Sequence, residues 1–306
     1  MFQRYFFVFL KGLAMGAADV VPGVSGGTVA FITGIYERLL NALKSFNLSL
    51  LKLIFKGKIK EAWRHIDGIF LLSLFIGILL SVVSLAKVIG WCLHDYPQLL
   101  WSFFFGLIIA SIIYIIRQID HWNVSQGVTL VIGIGIALLI TSLSPSEIEA
   151  NYLTIFIAGA IAICAMILPG ISGSFILLLM GMYSNVLTAV NERNLVFVGV
   201  FMLGCIVGLL SFSHVLSWTL KKYRNQTLAL LTGFMIGALN KVWPWQNTTQ
   251  FRVNSHGENI PFITENVLPS HYSEHQPLFY GCLLLLLVGF ILVLVLEKTG
   301  SQIGKK

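Results

Sequence analysis

Two short stretches carry residue types that could bind an anion: Pro22-Gly23-Val24-Ser25-Gly26-Gly27-Thr28 and Pro169-Gly170-Ile171-Ser172-Gly173-Ser174. Both interrupt apolar sequence. Proline removes a backbone donor and clashes with the preceding turn, and glycine weakens what remains of a helix. The residues after each Pro-Gly therefore start a new helix. Its first N–H groups lack intrahelical partners and carry the positive end of the helix dipole. Gly23, Gly26, Gly27, Gly170 and Gly173 leave the backbone approachable, and Ser25, Thr28, Ser172 and Ser174 add hydroxyl donors. Such a set suits an anion, phosphate above all. Small residues have a second use in membranes, where they kink helices and let them pack closely. Two matching breaks in two halves of one apolar chain favour the binding use.

Charged residues flank the first break only. Asp19 lies three residues before Pro22 in apolar surroundings. A carboxylate at the bilayer centre costs roughly 2.5–3.5 kcal/mol on insertion scales, so such a residue is expected to serve a function. Asp19 could bind or release a coupling proton or a cation such as sodium. Alternatively it caps the helix of the second arm or pairs with Lys11. Glu37 and Arg38 follow the break: Arg38 could steer an anionic headgroup and Glu37 could share in coupling, or both anchor the interface beside Tyr36. Lys87 and Arg117 are weaker candidates for phosphate contacts. His271 and His275 stand four apart without a third ligand, so no metal site is expected. Four cysteines (Cys92, Cys164, Cys205, Cys282) lie singly without a CxxC pair, which argues against a disulfide framework or a zinc site. No HExxH, nucleotide loop or nucleophile–base set occurs, so the expectation is no cofactor and no enzymatic activity.

The elements that must position these residues are membrane helices. Of 306 residues, 57% are hydrophobic and 11% charged, with mean hydropathy +0.85. A soluble domain carries about 25% charged residues. The net charge of +7 points to cytoplasmic loops and anionic lipid rather than to nucleic acid. Arg4 and Lys11 interrupt the first apolar run and Asp19 follows it, so it does not resemble a signal peptide and should be retained.

In chain order, residues 5–43 predict a hairpin broken at Pro22, with each arm short for a span of about 20 residues. It is either re-entrant or two tilted crossings. Residues 44–65 carry Lys44, Lys52, Lys56, Lys58, Lys60 and Arg64 among Leu50, Leu51, Ile54 and Phe55, an interfacial amphipathic helix on the cytoplasmic leaflet. Spans follow at 67–91, 99–117 and 126–143. A second hairpin occupies 152–190, with spans at 195–219, 226–240 and 278–296. The polar segment 241–277, with only Lys241 and Arg252 as basic residues, belongs outside as a cap or lid, and both termini belong inside.

The halves repeat. At the offset that matches Pro22 with Pro169, Ala18/Ala165, Gly23/Gly170, Ser25/Ser172, Gly26/Gly173, Gly34/Gly181, Tyr36/Tyr183, Leu40/Leu187 and Ala42/Ala189 are identical. After the basic segment the offset falls from 147 (169−22) to 127 (204−77), and Gly77/Gly204, Trp91/Trp218, Tyr96/Tyr223 and Gly106/Gly233 match. That order of matches indicates internal duplication. Asp19 has Met166 as its counterpart, and Glu37 and Arg38 have Ser184 and Asn185. A hairpin plus three spans is an odd number of crossings, so the second copy is inverted. The expected fold is an all-α polytopic membrane protein of two inverted-topology repeats, 1–143 and 152–297. Their Pro-Gly hairpins dip in from opposite faces and meet near the midplane, the plan of alternating access.

The sequence Ala-Asp-Val-Val-Pro-Gly-Val-Ser-Gly-Gly-Thr at 18–28, with Gly34-Ile35-Tyr36-Glu37 and Leu-Pro-Gly-Ile-Ser-Gly-Ser at 168–174, resembles the bacterial polyprenyl-phosphate transporter family over nearly the whole chain. The resemblance implies translocation of undecaprenyl phosphate, which returns the spent lipid carrier of peptidoglycan and surface-glycan synthesis to the cytoplasmic leaflet of the inner membrane. It places the family's motif on Asp19, Pro22, Gly23, Ser25, Gly26, Gly27, Thr28, Glu37, Pro169, Gly170, Ser172 and Gly173. Undecaprenyl-diphosphate phosphatases pair similar hairpins but carry Arg in a Pro-Gly-x-Ser-Arg-Ser-Gly motif, where this chain has Gly26 and Gly173. Without that Arg a transferring phosphoryl group lacks its clamp. A channel or exchanger for a small inorganic anion could use the same helix ends.

Overall fold

The structure is a computed structural model of the chain that describes residues 2–21, 24–143, 149–253 and 259–303. Around the first break lie α1 (Phe2–Val20), α2 (Gly26–Ile32) and α3 (Tyr36–Lys44). Two short helices follow, α4 (Leu48–Phe55) and α5 (Ile59–His65), and then three long ones, α6 (Gly68–Asp95), α7 (Pro97–Ile116) and α8 (Val124–Ser142). The second half runs through α9 (Tyr152–Ile167), α10 (Gly173–Leu179), α11 (Tyr183–Asn191), α12 (Leu195–Lys222), α13 (Arg224–Ala238) and α14 (Phe279–Ile303). Among the described residues, five helices are long and apolar enough to cross a membrane (α6, α7, α8, α12 and α14), or six if the bent pair α10–α11 is one span. That is consistent with a polytopic membrane protein. The faces these helices turn outward carry Phe75, Val83, Val131, Leu203, Leu284 and Val295, as a lipid-facing surface requires.

Four helix pairs form the body: α1 with α6, α9 with α12, α7 with α14 and α8 with α13. Glycines let the backbones touch. A Cβ on Gly77 would strike the carbonyl of Phe9 in α1, and one on Gly204 would strike that of Phe156 in α9. A Cβ on Gly106 would strike Leu286 in α14, and one on Gly233 would strike Leu130 in α8. Glycines matched between the halves thus do the same packing work, the close approach that drives helix association where no hydrophobic force acts. Phe70, Leu40, Ile108, Ile115, Leu231 and Met235 are fully buried between the pairs.

Several elements differ from the sequence expectation. Each second hairpin arm is two helices, not one. Gly34 and Gly181, a matched pair, take φ of +70° and +67°, which ends α2 and α10 after seven residues each. The axes of α10 and α11 diverge by 106°. The basic segment 44–65 is likewise two helices. Gly57 at φ +69° ends the first, and the Asn47 side chain caps its start by accepting from the Ser49 and Leu50 N–H groups. The stretch expected to span at 226–240 is a helix of only 15 residues, roughly 22 Å long, buried by protein along most of its length. The body is all-helical as expected, with one addition. Segment 241–277 holds an antiparallel ribbon, β1 (Gln246–Val253) and β2 (Asn259–Asn266), with Gln246 opposite Asn266. Its period-2 pattern is weak because Pro261 and the polar run Gln246–Gln250 mask it. Trp243 and Trp245 tie the segment down: their indole N–H groups donate to the carbonyls of Val267 and Pro277, each at 2.9 Å. His256 of this segment lies outside the described residues.

Candidate functional site

The two breaks meet. Ser25 caps α2, its Oγ accepting from the Gly27 N–H at 3.0 Å and donating to the Met166 carbonyl at the end of α9, 2.9 Å away. In the reverse direction, the Gly170 N–H donates to Thr28 Oγ1 at 3.1 Å. Tyr36 Oη donates to the Ile167 carbonyl at 3.1 Å. Ser25, Thr28 and Tyr36 are all buried. Carbonyls left free where α9 ends are thus satisfied by side chains of the other half, which is the accounting that buried backbone demands. Residues 141 positions apart in sequence, Ser25 and Met166, are bonded neighbours.

The glycines of the breaks are filled by protein. A Cβ on Gly26 would meet the Asp19 carboxylate at 2.5 Å, one on Gly173 the Ala162 carbonyl at 2.6 Å, and one on Gly27 the Ile167 carbonyl. Gly170 holds φ +85°, and a Cβ there would sit 3.0 Å from Met235 Cα. In this conformation the glycines serve close packing, Gly27 against the end of α9, Gly26 and Gly173 against the preceding arm of their own hairpin, and Gly170 against α13. Pro22 and Gly23 lie outside the described residues.

The two breaks differ electrostatically. Asp19 Oδ1 accepts from the Gly26 N–H at 2.7 Å, so a carboxylate from α1 occupies the start of α2. Asp19 thus makes the capping contact that was one of the roles open to it. Lys11 goes elsewhere, donating to the Thr33 carbonyl at the far end of α2, 2.6 Å away. The start of α10 has no side-chain cap, and Ser172 Oγ lies 2.8 Å from Ser174 Oγ. Beside it a cleft of about 290 Å³, counted with the open space at its mouth, is lined by Ala137, Ile140, Thr141, Gly170, Ile171, Ser172, Phe175 and Lys241.

Glu37 and Arg38 are not at the breaks. Arg38 forms a two-pronged pair with Asp67, Nε to Oδ2 at 2.7 Å and Nη2 to Oδ1 at 3.1 Å, and its guanidinium lies 4.2 Å from the centre of the Phe70 ring. Glu37 Oε1 accepts from Arg224 Nη1 at 2.5 Å, an ion pair between the two halves. Glu37 also borders a second, open cleft of about 30 Å³ with Leu40, Asn41, Ser217, Leu220 and Lys221. Lys87 and Arg117 are exposed and line neither cleft. From the sequence, Lys241 served for topology alone and neither Arg224 nor Asp67 was singled out. The cue for Arg224 was the acidic Glu37 left without a local partner; nothing in the sequence marks Lys241 as near Ser172. Among the described residues, no group of three His, Cys, Asp or Glu side chains is close enough to hold a metal.

The chain is 52% identical over 303 residues to a polyprenyl-phosphate transporter of Vibrio cholerae, covering 98% of each. It is 33% identical over 256 residues to a polyprenyl-phosphate transporter of Staphylococcus aureus, covering 77% of this chain and 85% of the relative. No solved structure matches. The model of the VCA0040-like family, described as undecaprenyl phosphate translocase-like, matches residues 15–260, a stretch that holds both breaks and both clefts. The chain therefore belongs to the undecaprenyl phosphate translocase-like family.

Proposed function

We propose that the protein moves a polyprenyl phosphate, undecaprenyl phosphate in particular, across the bacterial cytoplasmic membrane from the outer to the inner leaflet. Its work is transport, not hydrolysis, and it serves lipid-carrier recycling in cell-wall synthesis. One observation carries the reading: two Pro-Gly breaks from separate halves of the chain bond directly to one another through Ser25–Met166 and Thr28–Gly170. Membership of the family and the names of the relatives support the substrate class.

In this reading the halves are inverted repeats that alternate access to a shared site, with both termini in the cytoplasm. The Ser25–Met166, Thr28–Gly170 and Tyr36–Ile167 contacts are the closed seam. The headgroup enters beside Ser172, Gly173 and Ser174, and parting of the seam exposes Ser25, Gly26, Gly27 and Thr28 to it. The polyprenyl tail stays in lipid, because neither cleft is large enough to hold a long chain. Asp19 holds the Gly26 N–H, so carboxylate and phosphate compete for one donor. Neutralising Asp19, by a proton or by a cation such as sodium, would release that donor to the headgroup, and this is the coupling step. The Glu37–Arg224 pair latches the halves at the cytoplasmic mouth.

Reconstitution into liposomes containing polyprenyl phosphate tests the proposal. Headgroup exposure on each leaflet is followed, with phosphate release from the diphosphate measured in parallel. Headgroup movement without phosphate release is expected. Released phosphate without headgroup movement would make the protein a phosphatase and sink the transport reading.

A further inference from the structure

We propose that Lys241 is the cation that receives a phosphate monoester headgroup at the second break, in the cleft it shares with Ser172; the inference rests on the transport reading and adds the residue that selects for charge. Lys241 stands in the turn after α13, outside the motifs and long apolar helices. Its backbone is fixed at both ends: its N–H donates to the Ala238 carbonyl at 2.9 Å, and its carbonyl accepts from Gln246 Nε2 at 3.0 Å. The side chain turns in toward the break, with Nζ 5.4 Å from the centre of the Phe175 ring in α10.

Three other cations have partners in this structure. Arg38 has Asp67, Arg224 has Glu37, and Lys11 has the Thr33 carbonyl. Among the described residues no carboxylate pairs with Lys241. A half-buried ammonium without a counter-charge is costly to keep, and a bound anion removes that cost. The remaining lining chemistry fits the same guest. Ser172 Oγ shares one hydrogen bond with Ser174 Oγ, and when Ser174 donates in that bond the Ser172 O–H is free to donate into the cleft it lines. Thr141 contributes no donor, because its hydroxyl is engaged with the Ala137 carbonyl at 2.9 Å. Ala137, Ile140, Ile171 and Phe175 form the rest of the wall. An apolar wall lowers the local dielectric and strengthens the ammonium–phosphate attraction. A neutral alcohol brings no charge for the ammonium to pair with, so the cleft favours a polyprenyl phosphate over the corresponding polyprenol.

Binding to the purified full-length protein in detergent tests this, with a short-chain polyprenyl phosphate, its alcohol and inorganic phosphate as probes. For Lys241→Gln the polyprenyl phosphate should bind at least about tenfold more weakly, the loss expected of one charge-assisted contact. Lys241→Arg should restore most of it, Ser172→Ala should weaken it several-fold, and the alcohol should not respond. Bound lipid phosphate should also protect wild-type Lys241 from acetylation, read by mass spectrometry, which needs no variant to fold. Unprotected Lys241, or lipid affinity within twofold of wild type in Lys241→Gln, overturns the inference and leaves transport standing if wild-type liposomes still move the lipid. Lys241-dependent binding of inorganic phosphate without any lipid binding upholds the anion site and sinks the lipid-transport reading instead. Wild-type protein that binds neither probe refutes both.

Discussion

Replacing Gly170 by alanine tests whether the seam between the breaks holds this conformation together. Gly170 has φ +85°, a region that costs an L-residue about 1–2 kcal/mol. The added Cβ would lie 3.0 Å from Met235 Cα and 3.1 Å from the Phe234 carbonyl oxygen. Ordinary contact begins near 3.4 Å, so the break must retreat from α13 by a few tenths of an ångström. Overpacking of that kind costs about 1–3 kcal/mol. The retreat also strains the hydrogen bond from the Gly170 N–H to Thr28 Oγ1, worth about 0.5–1.5 kcal/mol net. Gly170→Ala should therefore lose about 2–5 kcal/mol, seen as a large drop in melting temperature of the detergent-purified protein. Two controls separate the contributions. Thr28→Val removes only the acceptor and should cost about 1–3 kcal/mol, because it orphans a buried N–H. Gly90→Ala, where an added Cβ meets nothing within 4 Å, should be neutral or stabilising, since alanine favours helix by about 1 kcal/mol over glycine. If Gly170→Ala melts like wild type while Thr28→Val does not, the backbone and packing arguments at the second break are wrong. If all three melt alike, the seam does not stabilise the molecule.

Asp19→Asn keeps an oxygen for the Gly26 N–H but loses the charge, whereas Asp19→Ala loses both. Asn should stay within about 1 kcal/mol of wild type in stability yet abolish the pH or cation dependence of transport, and Ala should cost about 1 kcal/mol more as a lost cap; unaltered coupling in Asp19→Asn removes Asp19 from that role. The Glu37–Arg224 pair is roughly half exposed on both sides, at 56% and 45%, so a double-mutant cycle with Glu37→Gln and Arg224→Gln should give a coupling energy below about 1 kcal/mol. Its effect should fall on transport rate rather than on melting. Arg38→Lys keeps the charge but not the fork to Asp67 or the stacking on Phe70, and should destabilise by about 1–2 kcal/mol, read by thermal melting. Lys52, Lys56 and Lys60 flank the exposed Leu48, Phe55 and Ile59 of α4 and α5. Replacing all three lysines by Gln should remove any stabilisation of the protein by anionic lipid in nanodiscs at low salt, at about 1 kcal/mol per lysine.

Sequence alone was enough for the parts set by local rules. Hydropathy over some 20 residues marks α6, α7, α8, α12 and α14, because a bilayer demands long apolar helices. Proline and glycine at 169–170 interrupt α9 and α10 wherever the chain folds, since a missing donor and a positive φ are backbone properties. Matched glycines such as Gly77/Gly204 were visible as a repeat before their use was known. Other local features were legible in principle but underweighted: Gly34, Gly57 and Gly181 each split an expected helix through a positive φ. Tertiary structure alone decided the rest. Ser25 and Thr28 read first as donors for a ligand, with packing as the alternative, and only the approach of the second half shows Ser25 donating to the Met166 carbonyl and Thr28 accepting from the Gly170 N–H. Arg38 looked available for a headgroup until Asp67, 29 residues on, came within 2.7 Å. Lys241 looked like a topology marker until the turn after α13 placed it beside Ser172. A charge's role depends on which counter-charge lies within a few ångströms, and in a chain of broken helices that neighbour is chosen by packing between distant segments.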